Sequence, residues 1–182
     1  MLYLASASPR RAKLLREAGI SFKRLKSSYH ETGIFGDPPV VLVKKHAQGK
    51  AMAGARMIEN GKLLAADTLV YFQGKILGKP RSRKDAVKTL TLLQGHWHTV
   101  VTGVAFFEVK HGEIVRRRLF SERTRVLLKK MSGSEIRNYF RSVNPMDKAG
   151  SYAIQSRKSI VKAIKGSFSN AVGLPMERLS FL

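Results

Sequence analysis

The sequence has 182 residues, 43% of them hydrophobic and 25% charged, the composition of a globular protein that can bury a substantial core. The absence of cysteine excludes a disulfide framework and a thiolate metal site, and no apolar run reaches the roughly 20 residues that cross a bilayer. The 34 Lys and Arg against 12 Asp and Glu give a formal net charge of +22, which favours phosphate-bearing partners but does not separate nucleotides from nucleic acid.

Apolar runs alternate with helical patterns along the chain, as in an α/β protein. Strands are predicted at residues 3–5, 20–25, 63–72, 75–77, 96–109, 114–128 and 160–164. Helices are predicted at residues 9–18, 38–58, 82–93, 132–140 and 175–179. The apolar start at residues 1–5 is too short for a signal peptide, so we expect a cytoplasmic protein without a membrane span.

Turn and capping residues place several of these boundaries. Ser8 is a natural N-cap with Pro9 at the first helical position, and the pairs Ser82/Asp85 and Ser132/Glu135 predict capping boxes. The turn at residues 110–113 predicts a long β-hairpin.

The turn after the first strand reads Ser-x-Ser-Pro-Arg-Arg, from Ser6 to Arg11. Hydroxyls, backbone N–H groups and the positive end of a helix stand there beside two guanidiniums, which is the equipment of a phosphate cradle. A capped helix with two exposed arginines is the alternative interpretation.

Two acids are candidates for chemistry. Asp67 directly follows a buried apolar run, where it could hold a divalent cation or accept a proton from water; a turn residue bonding its own backbone is the alternative. Glu31 lies in a polar loop, and a solvated loop residue is the alternative there.

The late segment at residues 147–155 is rich in small residues that let a ligand approach the backbone. Lys148 can meet phosphate as a point charge, and Gln155 offers both a donor and an acceptor to a base edge. Glycines that merely punctuate a loop are the alternative interpretation.

The order and wording of these motifs resemble the Maf family over roughly residues 2–179. The resemblance rests on the segments Ser6–Arg11, Lys50-Ala51, Ala66-Asp67-Thr68, Gly78-Lys79-Pro80, His98–Gly103, Asp147–Gly150 and Gly173-Leu174-Pro175.

The resemblance implies a nucleoside triphosphate pyrophosphatase formed by a single Maf-like domain over residues 1–182, and a homodimer. The implied fold is a mixed α/β sheet flanked by helices in two closely packed lobes with a central cleft, similar to the inosine-triphosphate pyrophosphatase fold. Asp67 would activate water, and Asp67 with Glu31 would hold Mg²⁺ or Mn²⁺. The residues implied to hold the triphosphate are Ser8, Arg10, Arg11, Lys50, Lys79 and Lys148.

Three positions distinguish branches of the family. Arg11, Thr68 and Gln155 are similar to the branch acting on dTTP and UTP, whereas another branch prefers 7-methyl-GTP. A third hypothesis is a basic protein that binds nucleic acid or a partner, connected with the septum inhibition attached to the family. The chain departs from the usual pattern at Val143-Asn144, Ser156 and Gly49.

Overall fold

The computed structural model describes residues 1–31, 36–156 and 159–182. The strands are β1 Leu2–Leu4, β2 Lys23–Arg24, β3 Gly61–Phe72, β4 Lys75–Leu77, β5 Trp97–Lys110, β6 Glu113–Leu128 and β7 Val161–Lys165. The helices are α1 Pro9–Glu17, α2 Pro39–Ala55, α3 Arg83–Leu93, α4 Gly133–Ser142 and α5 Phe168–Val172, with 3-10 turns at Ala149–Ser151 and Met176–Arg178. Among these described residues, no helix combines the length and apolar character needed to cross a membrane.

The strands form one seven-stranded mixed sheet in the order β2-β1-β3-β5-β6-β7, with β4 paired to β3. β1 runs parallel to both β2 and β3, while the β3–β4 and β6–β7 pairs are antiparallel. The predicted mixed α/β sheet with helices is therefore confirmed.

Two tight turns connect antiparallel strands as the sequence predicted. Gln73 and Gly74 lie between β3 and β4, and His111 and Gly112 lie between β5 and β6; all four have positive φ. Two consecutive positive φ angles match the right-handed twist of a hairpin, and this explains the glycine in each turn. The predicted long hairpin of β5 and β6 is confirmed.

The chain divides into two compact units. The first comprises Met1–Thr68, Thr102–Glu122 and Gly173–Leu182, and the second comprises Leu69–Val101 and Arg123–Val172. The strands β3, β5 and β6 contribute residues to both units. The single domain over residues 1–182 stays a prediction.

In the first unit, α2 packs closely on the sheet through small residues. Ala47 and Ala51 are fully buried in a cluster with Leu63 and Phe107. A Cβ on Gly103 of β5 would lie only 2.7 Å from the backbone N of Lys44, so this close approach requires glycine. The Thr-Gly pair of the β5 motif thus has a structural reason.

In the second unit, α3 and α4 begin at serine N-caps. Ser132 Oγ accepts from the backbone N of Glu135 at 3.2 Å, and Glu135 Oε2 accepts from the backbone N of Ser132 at 2.6 Å, which completes a capping box. The hydrogen bond from the Ser132 backbone, then that from its hydroxyl, lowers the pKa of Glu135. Ser82 caps α3 in the same way, but the Asp85 carboxylate accepts instead from the backbone N of Arg81 at 2.9 Å.

Three predicted elements were wrong in extent or missing. The strand predicted at residues 20–25 is reduced to Lys23–Arg24, because β1 is three residues long and offers β2 only two partners. The predicted terminal helix is only a 3-10 turn at Met176–Arg178, and the helix α5 was not predicted.

Candidate active site

The turn from β1 into α1 has the predicted local form. Ser8 occupies the N-cap position with an extended backbone, and Pro9 is the first helical residue. Within the described chain, however, the Ser8 hydroxyl makes no capping hydrogen bond; its backbone N donates to Ser6 Oγ at 3.3 Å. The Ser8 side chain is therefore not used to cap the helix. Beside it, Arg10 is half-buried.

Arg11 is buried, with 8% of its surface exposed, and it connects three segments of the first unit. Its Nε donates to the carbonyl of Gly173 at 2.7 Å, one terminal nitrogen donates to Ser6 Oγ at 2.9 Å, and the other donates to Thr68 Oγ1 at 2.9 Å. Thr68 Oγ1 in turn lies 2.9 Å from Thr102 Oγ1. Burial lowers the pKa of Arg11, and the negative charge of Asp67 opposes this effect.

Lys50 of α2 joins the two candidate acids. Its Nζ lies 2.6 Å from Glu31 Oε1 and 2.7 Å from Asp67 Oδ1. The side chains of Lys50 and Asp67 are 13% and 14% exposed, whereas that of Glu31 is 48% exposed. One buried cation therefore holds together two carboxylates, one of which faces solvent.

The position of Asp67 in β3 differs from the expected end of a strand. β3 continues to Phe72, so Asp67 lies in its interior. The paired stretch with β1 ends at Leu64, and the paired stretch with β4 begins at Val70. Asp67 lies between these two paired stretches, next to the carboxyl end of β1, which is where parallel strands generally place their functional side chains.

The remaining candidates lie in the second unit. Lys79 and Gln155 are exposed. Lys148 Nζ donates to the carbonyl of Asn144 at 2.7 Å and to Asp147 Oδ1 at 2.5 Å, so its charge is partly matched within its own loop. Gly150, two residues later, has a φ of 71°, and a Cβ there would lie 2.9 Å from Val70 Cγ2.

Comparisons with known proteins identify the family. A family model described as Maf-like protein matches residues 1–182. The chain belongs to the Maf family. Proteins named dTTP/UTP pyrophosphatase are similar to it in Pelotomaculum thermopropionicum (40% identical, covering 98% of this chain and 93% of the relative) and in Geobacter sp. strain M21 (42% identical, covering 96% and 90%). The predicted resemblance to the Maf family is confirmed.

Two solved structures are similar to the Maf chain at 12% identity. The Ham1 protein of Staphylococcus aureus has a TM-score of 0.49, with 70% of this chain and 71% of that chain covered. A nucleoside-triphosphatase, also named dITP/XTP pyrophosphatase, of Mycobacterium abscessus has a TM-score of 0.40, with 71% and 74% covered.

Sequence reasoning did not find three residues that surround this part of the Maf chain. Thr102 shares a hydrogen bond with Thr68, as described above. Tyr29 Oη lies 3.0 Å from His46 Nδ1, next to the Lys50 cluster on α2. A signal was present only for His46, which is four residues before Lys50 and therefore on the same helix face.

The two acids fit a hard divalent cation in kind but are few in number. Carboxylate oxygens are the ligands that Mg²⁺ prefers, and it usually combines one or two of them with water and substrate phosphates. Glu31 and Asp67 supply two carboxylates on a single lysine. Among the described residues there is no group of three or more His, Cys, Asp or Glu that could hold a metal by itself.

Proposed function

We propose that this Maf protein is a nucleoside triphosphate pyrophosphatase that hydrolyses dTTP and UTP to the monophosphate and pyrophosphate. The observation that carries the proposal is the cluster in which Lys50 lies between Glu31 and Asp67, with the buried guanidinium of Arg11 nearby. Two acids among several cations are the arrangement needed to bind a triphosphate and to activate water. Relatives at 40–42% identity that carry the name dTTP/UTP pyrophosphatase support it.

In the proposed reaction, Asp67 is the general base. It takes a proton from a water molecule whose oxygen attacks the α-phosphorus. The bond from that phosphorus to the oxygen bridging the α- and β-phosphates breaks, and pyrophosphate leaves with the electron pair. Because the buried side chain of Asp67 is held by Lys50, its carboxylate oxygen is fixed in direction before the substrate arrives.

The triphosphate meets hydroxyls and cations in this proposal. The Ser8 hydroxyl is not used to cap α1 among the described residues and can donate to a phosphate oxygen at the helix N-terminus. Arg11 contributes charge from a fixed position, since three of its N–H groups already hold Gly173, Ser6 and Thr68 in place. The other cations proposed to bind the phosphates are Arg10, Lys50, Lys79 and Lys148.

We assign base selection to Gln155 and Thr68. The exposed amide of Gln155 can donate to O4 and accept from N3–H of uracil or thymine. Thr68 already shares its hydroxyl with Arg11 and Thr102, so it fixes the floor next to Asp67 more than it probes the base.

Glu31 and Asp67 are the residues that would hold Mg²⁺ or Mn²⁺, which would supply positive charge to the phosphate oxygens of the substrate. Lys50 neutralises part of the charge of the two carboxylates and keeps them side by side. The same proposal places the enzyme in the cytoplasm and expects a homodimer, both from the family resemblance.

Pyrophosphate release from dTTP, UTP, CTP, GTP, 7-methyl-GTP and ATP in the presence of Mg²⁺ tests the proposal. We expect wild type to prefer dTTP and UTP, and Asp67→Asn to lose at least ~100-fold in kcat because the general base is removed. Asp37→Asn is the matched control, since Asp37 is outside the cluster, and it should keep the wild-type rate.

The outcomes separate the claims. A preference for 7-methyl-GTP would keep the reaction but contradict the assignment of Arg11, Thr68 and Gln155 to the dTTP/UTP branch. Release that is equal in wild type and Asp67→Asn would contradict the site. If neither variant releases pyrophosphate from any nucleotide, while the protein binds RNA with steep salt dependence, the basic surface is the functional feature instead.

A further inference from the structure

Tyr29 is a half-buried residue between β2 and α2, two positions before Glu31. Its Oη lies 3.0 Å from His46 Nδ1, and the two rings meet edge to face with centroids 5.8 Å apart. Its backbone N donates to Ser27 Oγ at 3.2 Å. Tyr29 is therefore attached to α2 at its ring and to its own loop at its backbone.

Gly49 in α2 makes room for this ring. A Cβ on Gly49 would lie 2.6 Å from both Cδ2 and Cζ of Tyr29, closer than real Cβ atoms approach other heavy atoms. Glycine in the middle of a helix lowers helix stability, so its presence at this position needs a reason. The Tyr29 ring supplies that reason, and it accounts for the unusual glycine beside Lys50.

The contacts converge on one face of α2. His46, Gly49 and Lys50 are related by steps of three and four residues and so lie next to each other on the helix surface. Lys50 bonds Glu31 at 2.6 Å, while His46 and Gly49 receive Tyr29. The loop residues Tyr29 and Glu31 are thus fixed to α2 at two adjacent points, and Lys50 passes this placement on to Asp67.

We propose that Tyr29 is a positioning residue: seated on Gly49 and bonded to His46, it sets the loop backbone so that the Glu31 carboxylate stands beside Lys50 and Asp67. Its consequence for catalysis rests on the proposed function, because Tyr29 itself contacts neither the cluster's cation nor any reacting atom. Its effect on the pair of carboxylates does not depend on turnover.

A double-mutant cycle tests the seat of the ring. Gly49→Ala in the wild-type background should lower the melting temperature, because the new methyl group and the Tyr29 ring claim the same space. In the Tyr29→Ala background the same substitution should raise the melting temperature, because alanine favours the helix over glycine. Gly54→Ala is the matched control on α2: its Cβ would lie 3.0 Å from Leu63 Cδ1, so its effect should be the same in both backgrounds. An equal loss from Gly49→Ala in both backgrounds would overturn the proposal.

Binding of Mn²⁺, followed by electron paramagnetic resonance without nucleotide, tests the consequence for Glu31 and Asp67. Tyr29→Ala should weaken Mn²⁺ binding at least ~10-fold, as residues that orient metal-binding carboxylates typically do. Tyr29→Phe keeps the ring on Gly49 and should recover most of the affinity. Tyr3→Ala, which removes another half-buried tyrosine of the same unit, should lower stability without changing Mn²⁺ affinity.

Equal Mn²⁺ affinity in wild type and Tyr29→Ala, including no binding in either, would overturn the positioning role. Neither the cycle nor the Mn²⁺ measurement requires hydrolysis. If wild type releases no pyrophosphate but both measurements give the expected result, the proposed function fails and the positioning role stands. If wild type is active and both measurements fail, the reverse holds.

Discussion

Arg11 shows how one residue can carry both architecture and charge. A guanidinium presents its N–H groups in a rigid fork, and here that fork reaches a carbonyl and two hydroxyls on segments far apart in the sequence. The cost of burying the group is visible in its lowered pKa. Placing a buried cation among these acceptors brings fixed positive charge close to Asp67.

We therefore expect Arg11→Lys to be far from conservative. A single ammonium cannot reach all three acceptors, and each buried polar group left without a partner costs about 1–3 kcal/mol. The free energy of unfolding from urea titration should fall by at least that amount, and kcat/KM for UTP should fall with it. Arg16→Lys on the exposed face of the same helix should change neither, and equal effects of the two substitutions would contradict the clamp described for Arg11.

His98 is a second buried ionisable residue, in the second unit. Its Nε2 lies 2.7 Å from the hydroxyl of Tyr152, and it is 2% exposed. Burial lowers its pKa to about 4. The backbone of His96 is placed to favour the protonated ring, but within the described ranges no group has hydrogen-bonding geometry to Nδ1, so burial decides the direction.

This lowered pKa makes stability depend on pH. Between pH 6.5 and 4 the unfolded chain binds a proton at His98 that the folded chain does not, so stability falls as pH falls through this window. The loss attributable to His98 is on the order of 3 kcal/mol. Urea titrations at pH 7, 6, 5 and 4 should show a shallower decline for His98→Gln than for wild type. The exposed His30→Gln should keep the wild-type decline; a wild-type slope in His98→Gln would contradict the assignment.

At the scale of elements, two helices with similar starts in the sequence begin differently in the structure. Ser8 and Ser132 both occupy N-cap positions. Ser132 closes a complete capping box with Glu135, whereas the Ser8 hydroxyl makes no capping bond among the described residues. The difference agrees with the proposed roles: α4 needs its cap for stability, and α1 keeps a hydroxyl for substrate.

The pair gives a direct comparison. Ser132→Ala should lower the free energy of unfolding by about 1 kcal/mol, because it removes the acceptor of the Glu135 backbone N. Ser8→Ala should cost less stability than this and should instead raise KM for UTP. Both quantities can be measured on the same preparations by urea titration and by initial rates. A larger loss of stability from Ser8→Ala would place its hydroxyl in the cap after all.

Most elements were predictable because their signals are local. The glycine turns predicted both hairpins, and the capping serines predicted the starts of α3 and α4. The failures have non-local causes. The extent of β2 depends on the length of its neighbour β1, and no pattern in residues 20–25 reports it. The five-residue helix α5 is too short to show a helical period.

At the scale of the molecule, the candidate site was predictable where the family motifs name its residues. The motifs selected Glu31, Lys50 and Asp67, and the structure brings these three together. They could not reveal that Tyr29 fills the space left by Gly49, because the two are 20 positions apart and neither is unusual in its own context. Contacts of this kind depend on how a loop returns to a helix.

The net charge of +22 is also a property of the whole chain, and it is unevenly distributed. In the second unit the acids are Asp85, Glu135 and Asp147, and the other nine of the 12 acids lie in the first. The first unit therefore contains most of the negative charge, including the candidate catalytic pair. Such an excess of one sign disfavours the compact state through self-repulsion.

Self-repulsion predicts that salt stabilises this protein. Raising NaCl from 20 to 300 mM shortens the screening length to below about 10 Å, so like charges on the folded surface repel less. We expect the melting temperature to rise by several degrees, where about 2–4 °C corresponds to 1 kcal/mol for a chain of this size. Sodium acetate at equal ionic strength should give the same rise, because screening does not depend on which monovalent anion is present. A much larger rise from pyrophosphate at equal ionic strength would report binding at Lys50 and its neighbours, and Arg11→Lys should reduce that extra part while leaving the screening part intact. A melting temperature that stays constant or falls with NaCl would show that the basic residues are already neutralised by their own contacts.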